Sequence, residues 1–586
     1  MTQKAVEVLS IFEPDTLAAS IAAKWDLWNK QRQPWLDEYE EVKLFKTATD
    51  TTTTSVEMAA WRNNTTLPKL THISDLLHAN YMSTMFSSSE WFDFESMSLD
   101  SNDQKKKEVI RGYVSNKVEL SGYVDTASKL VDDFIEAGNV FAQVKYEDNT
   151  VVDEDTGEII ERYVGPKLVR ISPLDIVFDL TATSFDDTTP IIRKMVHISE
   201  FKRMAEQEPD NHDLQEAVDK MIERRDVVRS GRWQIDDIQR IQQVESDGFG
   251  NLLEYYQNDN VEILELYGDV WDKENLKLEK NVIITIVDRV DTIRKKKNPN
   301  WSNKGIFHAS WRKRSESLWG MGPLANLVGM QYRIDHLENG RADGFDLTLA
   351  APMAVMGDIE DDWEWSPNST VYMDENGRIE RLSPGTEVLN ADFQIAQYMQ
   401  WMEEFAGSPK EAGGIRSPGE KTKFEVEFLK SGMDKMFFAK TSVFEKGIVE
   451  PTLNMYWELG RRLLDSVDVI RIFNNETQLA TFEQITKQDI TAKGKIRARG
   501  SQYFSQASNT VKTLNQLFSS PLGQMIKQHT SPDQLSRLVE DALGIRKYDL
   551  FRKNVGVIED AETRKIVVKA NEDVNEAALT EGIQVE

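Results

Sequence analysis

The chain has 586 residues, a formal net charge of −28, 40% apolar and 29% charged residues, and no cysteine. The length suits several domains of ~100–200 residues each, and the balance is globular rather than disordered. Lack of cysteine excludes disulfides, thiolate zinc sites, iron–sulfur clusters and a cysteine nucleophile, and fits assembly in a reducing cytoplasm. Met1–Ile11 carries Lys4 and Glu7 and has no signal-like apolar core. The longest apolar clusters, such as Val282–Val287, have strand length, so no membrane-spanning segment is expected. The 98 acids against 70 bases argue against a static nucleic-acid binder, whose affinity comes from Lys and Arg displacing counterions. They argue less against a conduit through which DNA slides.

Residues 14–45 read as helical, with Leu17, Ile21, Trp25, Trp28, Trp35, Tyr39 and Val42 at helical spacing and an interruption near Pro34. A Thr-rich loop follows, and 61–86 reads as a loop entering a second helix. Segment 105–137 is helical again. From Asn139 the pattern turns to strands: 140–146, a hairpin over 151–163 around Asp153–Gly157, 167–171 and 175–179. Helices are expected at 197–206 and 213–225, strands at 262–271 and 280–290, and a basic loop at Arg294–Lys304. Pro323 is placed for a helix first turn, and 323–350 would make a rod of ~42 Å at ~1.5 Å per residue. Gly340 and Gly344 would kink it or admit a close neighbour. Strand pieces at 353–356, 370–373 and 379–382, with a turn at Asn376–Gly377, precede a helix over 386–405. A Gly/Pro-rich loop then leads to a long helical run over 424–465, a strand pair at 467–473 and 495–499, and a helical third over 504–554. The last ~20 residues read as a loose acidic tail.

Several motifs invite catalytic readings and fail on chemistry. Gly320-Met-Gly322-Pro-Leu-Ala325 fits G-x-G-x-x-A, but no buried strand precedes it and Pro323 removes an amide, so it reads as a helix-start turn. Gly414–Thr422 has P-loop glycine spacing, yet Glu420 stands where the lysine belongs and would repel phosphate. Asp153–Gly157 lacks the glycine position and terminal Glu of a calcium loop. The seven histidines show no paired-ligand or triad spacing. No catalytic residue, metal site or cofactor is therefore expected. Basic stretches Arg294–Lys304 and Arg312–Arg314 read chiefly as solvated loop. The acids Asp335, Glu338, Asp343 and Asp346, followed by Asp358, Glu360, Asp361, Asp362 and Glu364, form a base-free run past residue 351. Alone such a run is a solvated face; repeated around a ring it would line a channel.

The order Ser317-Leu-Trp-Gly-Met-Gly-Pro-Leu324, a helix, Pro352-Met-Ala-Val-Met356, strand–turn–strand, helix and Gly413-Gly-Ile-Arg-Ser-Pro-Gly419 resembles the portal proteins of tailed bacteriophages, particularly short-tailed ones. Gly138–Val144, Ile171–Asp179, and Trp61-Arg-Asn-Asn through Leu76–Ala79 are similar to wing and entry segments of that family. The resemblance implies an α+β, predominantly helical chain with wing (1–320), stem helices (321–350 and 386–406), clip (351–385), tunnel loop (407–423), a long wing helix (424–465), wing return strands (466–500), crown (501–560) and acidic tail (561–586). It implies a non-enzymatic homo-oligomeric ring, a homododecamer, at one capsid vertex of the virion, assembled in the host cytoplasm. Double-stranded DNA would pass non-specifically through the channel during packaging and ejection. Partners would be the large terminase subunit, major capsid and scaffolding proteins, and head–tail adaptor or tail proteins. Lys410, Arg416, Lys421 and Lys423 would meet DNA from the tunnel loop. Asp335, Glu338, Asp343 and Asp346 would line the channel. Asp358, Glu360, Asp361, Asp362, Trp363, Glu364 and Trp365 would form the clip docking surface. The rival expectations are another head–tail structural protein or a nucleotide-dependent packaging enzyme.

Overall fold

The computed structural model describes residues 17–47, 63–86, 91–97, 101–152, 159–229, 260–272, 277–300, 304–349, 352–357, 372, 376–382, 391–406, 437–464, 468–474 and 479–499. In chain order the elements are α1 (Leu17–Gln31), α2 (Gln33–Lys46), α3 (Lys69–Phe86), β1 (Phe92–Ser96), α4 (Ser101–Leu120), α5 (Tyr123–Glu136), β2 (Asn139–Val152), β3 (Ile159–Ile171), β4 (Ile176–Val177), β5 (Ile191–His197), α6 (Ile198–Gln207), α7 (His212–Arg229), β6 (Asn260–Asp272), β7 (Lys277–Val287), β8 (Asp291–Lys297) and β9 (Ile306–Ser310). There follow α8 (Val328–Leu349), β10 (Met353–Met356), β11 (Arg378–Arg381), α9 (Ala391–Ala406), a helical run from 437 with a π-turn at Glu445–Val449, α10 (Glu450–Leu463), β12 (Asp468–Asn474), β13 (Leu479–Ile485) and β14 (Gly494–Ala498). The chain is α+β.

It divides into two compact units, one of residues 1–83 and 118–456, the other of 84–117 and 457–586. The first unit is built on an antiparallel sheet in the order β4-β5-β6-β7-β8. Strand side chains alternate between faces, and here both faces are covered. Ile191, Leu264, Leu266, Ile284 and Ile286 meet Ala18, Ile21, Trp25 and Trp28 of α1. The alternate positions Val261, Ile263 and Val287 meet Phe201, Leu214 and Met221 of α6 and α7. Double coverage explains why Val282–Val287 is apolar at every position but Thr285 rather than alternating. A second sheet, β3-β2-β9, shares a core with Trp35, Tyr39 and Trp319.

The interruption between the first two helices falls at Arg32, and Pro34 sits inside the first turn of α2, where its missing amide costs nothing. Arg32 is buried and donates to the carbonyls of Pro173 (2.8 Å), Leu174 (2.7 Å) and Ile176 (2.7 Å). It thereby fixes the short 3-10 turn Pro173–Asp175 that opens β4.

Two sequence expectations need correction. The basic segment from Arg294 is not a loop at its start, because Arg294–Lys297 ends strand β8, the edge of the five-stranded sheet. Lys295, Lys296 and Lys297 are exposed there, where charge discourages edge-to-edge pairing. Nor do 467–473 and 495–499 pair with each other. In the second unit β12 pairs with β13, and β14 pairs with β1 in the register Phe94↔Ile496. That unit is pinned by Trp457, which stacks edge-on with Phe94 at 5.2 Å and donates from Nε1 to the Ile490 carbonyl at 2.8 Å. Asp93, buried, pairs with Lys107 at 2.7 Å and with Arg499. Residues 501–560 and 561–586, expected as crown and tail, lie outside the described residues.

Candidate assembly arm

The Gly-x-Gly turn that leads to α8 is shaped by close backbone packing. Gly138 has φ +67°, and a Cβ on it would lie 2.1 Å from the Gly322 nitrogen. A Cβ on Gly320 or Gly322 would strike the Arg312 and Ile135 carbonyls at 2.8 and 2.6 Å. Asn139 holds the same crossing, accepting from the Gly320 amide at 2.7 Å and donating to its carbonyl at 3.1 Å. The glycines therefore serve a backbone crossing, and Gly320 N–H is already engaged.

Beyond the turn, α8 rises for 22 residues, about 33 Å. After the antiparallel hairpin β10–β11, in the register Val355↔Ile379, the chain returns through α9. Ile334, Ile395, Met402 and Ala406 are buried. Arg341 bridges Glu338 (2.6 Å) and Asp392 of α9. Arg381 donates to the carbonyls of Thr348 and Leu349 (3.2 Å for the latter), covering two acceptors that a helix end leaves without intrahelical partners. At the base, Lys69 of α3 and Glu403 of α9 form a buried ion pair.

One stripe of α8 carries polar side chains four residues apart: Gln331, Asp335, Asn339 and Asp343. Each meets the extended segment 63–67. Asp343 Oδ1 accepts from Asn63 N at 2.7 Å, and Asn339 Oδ1 accepts from Thr65 N at 2.7 Å while its Nδ2 donates to the Thr65 carbonyl at 3.1 Å. Asp335 Oδ1 accepts from Leu67 N at 2.9 Å, and Gln331 Nε2 donates to the Leu67 carbonyl at 2.5 Å. Asp346 Oδ2 accepts from Asn63 Nδ2 at 2.7 Å. The spacings match physically. Four helical residues advance ~6.0 Å and two extended residues ~6.6 Å, so the stripe can engage every second residue of a strand running antiparallel to the helix.

This fixes the position of the four acids singled out in the sequence. Asp335 is only 2% exposed and, with Asp343, receives backbone amides. Asp346 holds the Asn63 side chain, and Glu338 pairs with Arg341. The sequence reading missed this ladder, although acceptors at 335, 339 and 343 with Gln331 below them were a visible four-residue repeat. Lys410, Arg416, Lys421 and Lys423, and Asp358, Glu360, Asp361, Asp362, Trp363, Glu364 and Trp365, lie outside the described residues.

The arm is rich in uncovered apolar surface. Ten of the eighteen large exposed hydrophobic side chains among the described residues lie between 328 and 406, including Phe393 (76% exposed), Tyr372 (71%) and Leu349 (67%). Scattered exposed apolar residues are ordinary, but concentration on one element marks an interaction surface. Among the described residues no group of His, Asp and Glu is placed to hold a metal ion, and no helix is long and apolar enough to cross a membrane. No protein-family model matches the chain, and no curated protein matches it in sequence.

Proposed function

We propose that this chain is a portal-type subunit: a non-catalytic building block of a homo-oligomeric ring through which double-stranded DNA passes. The observation that carries the reading is the arm, a helix–hairpin–helix element on which ten large apolar side chains are exposed among the described residues. In a ring each arm lies between two neighbours, so both sides of α8 and α9 become buried, and the short two-stranded tip gains partners for its edges. The occupant of the arm surface is thus a second copy of this chain. The sequence resemblance independently assigns the same helices to the stem and the same hairpin to the clip. In this reading Glu338 and Asp346, at the arm's polar surface, contribute negative potential to the channel, which keeps counterion release small and lets DNA slide. Asp335 contributes by holding segment 63–67 rather than by facing the channel. The tunnel-loop cations would make transient, sequence-independent phosphate contacts, the clip acids and tryptophans would dock the terminase and later the tail, and the virion vertex would be the site of action.

Electron microscopy of the purified protein tests this directly. Rings with a central hole are expected, and a population of monomers or dimers alone overturns the reading. Leu349→Asp with Phe393→Asp is expected to leave the chain folded by circular dichroism while abolishing rings. Unaltered rings in that variant would remove the arm from the interface.

A further inference from the structure

The face of the five-stranded sheet opposite α1 is covered in two parts. Helices α6 and α7 pack on Ile263, Val287 and Ile293, while Phe141 of β2 shares a core with Ile192, Tyr267 and Ile283. Between these apolar patches the same face is polar. Glu265 lies between Ile263 and Tyr267 on β6, and its register partners are Ile192 on β5 and Thr285 on β7. Arg294 of β8 lies opposite Thr285, Lys296 opposite Ile283, and Lys194 of β5 opposite Ile263. Residues directly opposite share a face, so all three cations belong to this one. Strand β2 adds a fourth. Gln143, two residues beyond Phe141, hydrogen-bonds Tyr267. Two residues further on, Lys145 comes within hydrogen-bonding range of the Lys194 side chain.

The charges here do not cancel. Glu265 pairs with Lys194 and accepts from the Tyr267 hydroxyl at 2.6 Å. Arg294 pairs with Glu208 at 2.5 Å. Lys145 and Lys296 have no ion-pair partner among the described residues. The groups whose charges act on one another are the cations Lys145, Lys194, Arg294 and Lys296 and the carboxylates Glu208 and Glu265. Four against two leaves an excess of two positive charges, and the adjacent Lys167–Glu147 pair is neutral. Burial lowers the pKa of Lys194 against the pull of Glu265, and the charge of Lys145 lowers it further. Burial also lowers Lys296, with Arg294 and Lys145 adding to the effect. Two ammonium groups in contact beside a single carboxylate repel each other. An oxyanion that accepts from both removes that repulsion. A divalent one matches the excess of two, and ammonium groups bind phosphate as point charges.

We propose that Lys145 and Lys194, with Lys296 beside them, bind a free divalent oxyanion such as inorganic phosphate at the polar seam between the two apolar patches. The proposal does not rest on ring formation, because every residue of the seam belongs to one unit of one chain.

Isothermal titration of the full-length protein with inorganic phosphate, at constant ionic strength, tests it. One saturable phosphate per chain is expected. Lys145→Gln is expected to weaken it about tenfold or more, as loss of a charge-assisted contact does, and Lys296→Gln to weaken it less. Lys297→Gln is the control, because it removes the same charge from the same strand. Lys297 lies opposite Val282, on the face that packs against α1, so parent affinity is expected. Thermal melts check that the variants are folded. AMP carries the same group on a nucleoside and is expected to bind no more tightly than phosphate. Absence of saturable binding at millimolar phosphate overturns the proposal. So does a Lys297→Gln effect as large as that of Lys145→Gln, which means unspecific attraction. AMP binding more tightly than phosphate overturns it too, since the ligand is then an organic phosphate.

Discussion

The carboxylate of Asp335 on α8 accepts the backbone amide of Leu67 at 2.9 Å, across 268 residues of sequence, and is itself almost wholly buried. A buried carboxylate needs hydrogen-bond donors to offset its lost hydration. Gln331 Nε2 helps by donating to the same oxygen at 2.9 Å. Asp335→Leu is expected to cost about 1–3 kcal/mol, because it leaves the Leu67 amide without its acceptor. Asp335→Asn, which keeps an acceptor oxygen, should cost less. Urea denaturation followed by circular dichroism checks both, and equal stability of Asp335→Leu and the parent chain would show that the ladder does not hold segment 63–67.

The ion pair between Lys69 and Glu403 makes a different demand. Both side chains are more than nine-tenths buried, so the pair's value lies less in its attraction than in the cost of breaking it. Glu403→Leu alone leaves a buried ammonium and is expected to destabilise by about 3–5 kcal/mol. Lys69→Met with Glu403→Leu removes both charges and is expected to recover most of that loss. A double-mutant cycle by chemical denaturation measures it. If the double variant is as unstable as the single one, packing at the base of α9 matters more than charge.

Local pattern carried far along this chain and then stopped for physical reasons. The amphipathic spacing of Leu17, Ile21, Trp25 and Trp28 located α1, and the apolar run at Val282–Val287 located β7. The α8 and α9 helices and the strands β10 and β11 were legible from spacing, but the partner of β11 was not: the Asn376–Gly377 turn pointed to 370–373, and β11 pairs instead with β10, some 20 residues upstream. Strand β1 was not. Phe92–Ser96 is five residues long and pairs with β14, some 400 positions away, and nothing local encodes a partner at that distance. The lysines of β8 misled in the opposite direction, because edge strands carry loop-like composition. The acids of α8 were found as charges but not as hydrogen-bond acceptors, since burial such as Asp335's depends on where residues 63–67 return.

His308 gives the fold a pH dependence. Its ring stacks on Phe141 at 4.7 Å and lies 5.1 Å from Phe185. Burial, helped by the charge of Lys313, pushes its pKa down from 6.5 to about 3. Between those values the unfolded chain binds a proton that the folded chain does not, so stability is lost as pH falls from about 6.5 towards 3. The loss from this one group has a ceiling of about 1.4 kcal/mol per pH unit. His308→Phe keeps the stacked ring without the titrating nitrogen. Its stability profile between pH 6.5 and 4.5 is therefore expected to be flatter than that of the parent chain, and parallel profiles would exclude His308 as a source of acid lability.

Two glycines should respond to alanine with opposite signs. Gly340 lies in the middle of α8, and a Cβ there meets nothing within 4 Å. Gly340→Ala removes unfolded-state freedom and improves helix propensity, so a gain of about 0.5–1 kcal/mol is expected in the isolated chain. Gly138 has φ +67° and no room, with the Gly322 backbone 2.1 Å from the would-be Cβ. Gly138→Ala combines left-handed strain with a backbone clash that no rotamer change can relieve. It is expected to destabilise by at least about 2–3 kcal/mol. Thermal melts in dilute, monomeric conditions compare the two. The same Gly340→Ala chain, examined under ring-forming conditions, then separates chain from assembly. If a neighbouring subunit occupies the open space beside Gly340, the added methyl group weakens rings while stabilising the monomer; if that space faces the channel, both are unharmed.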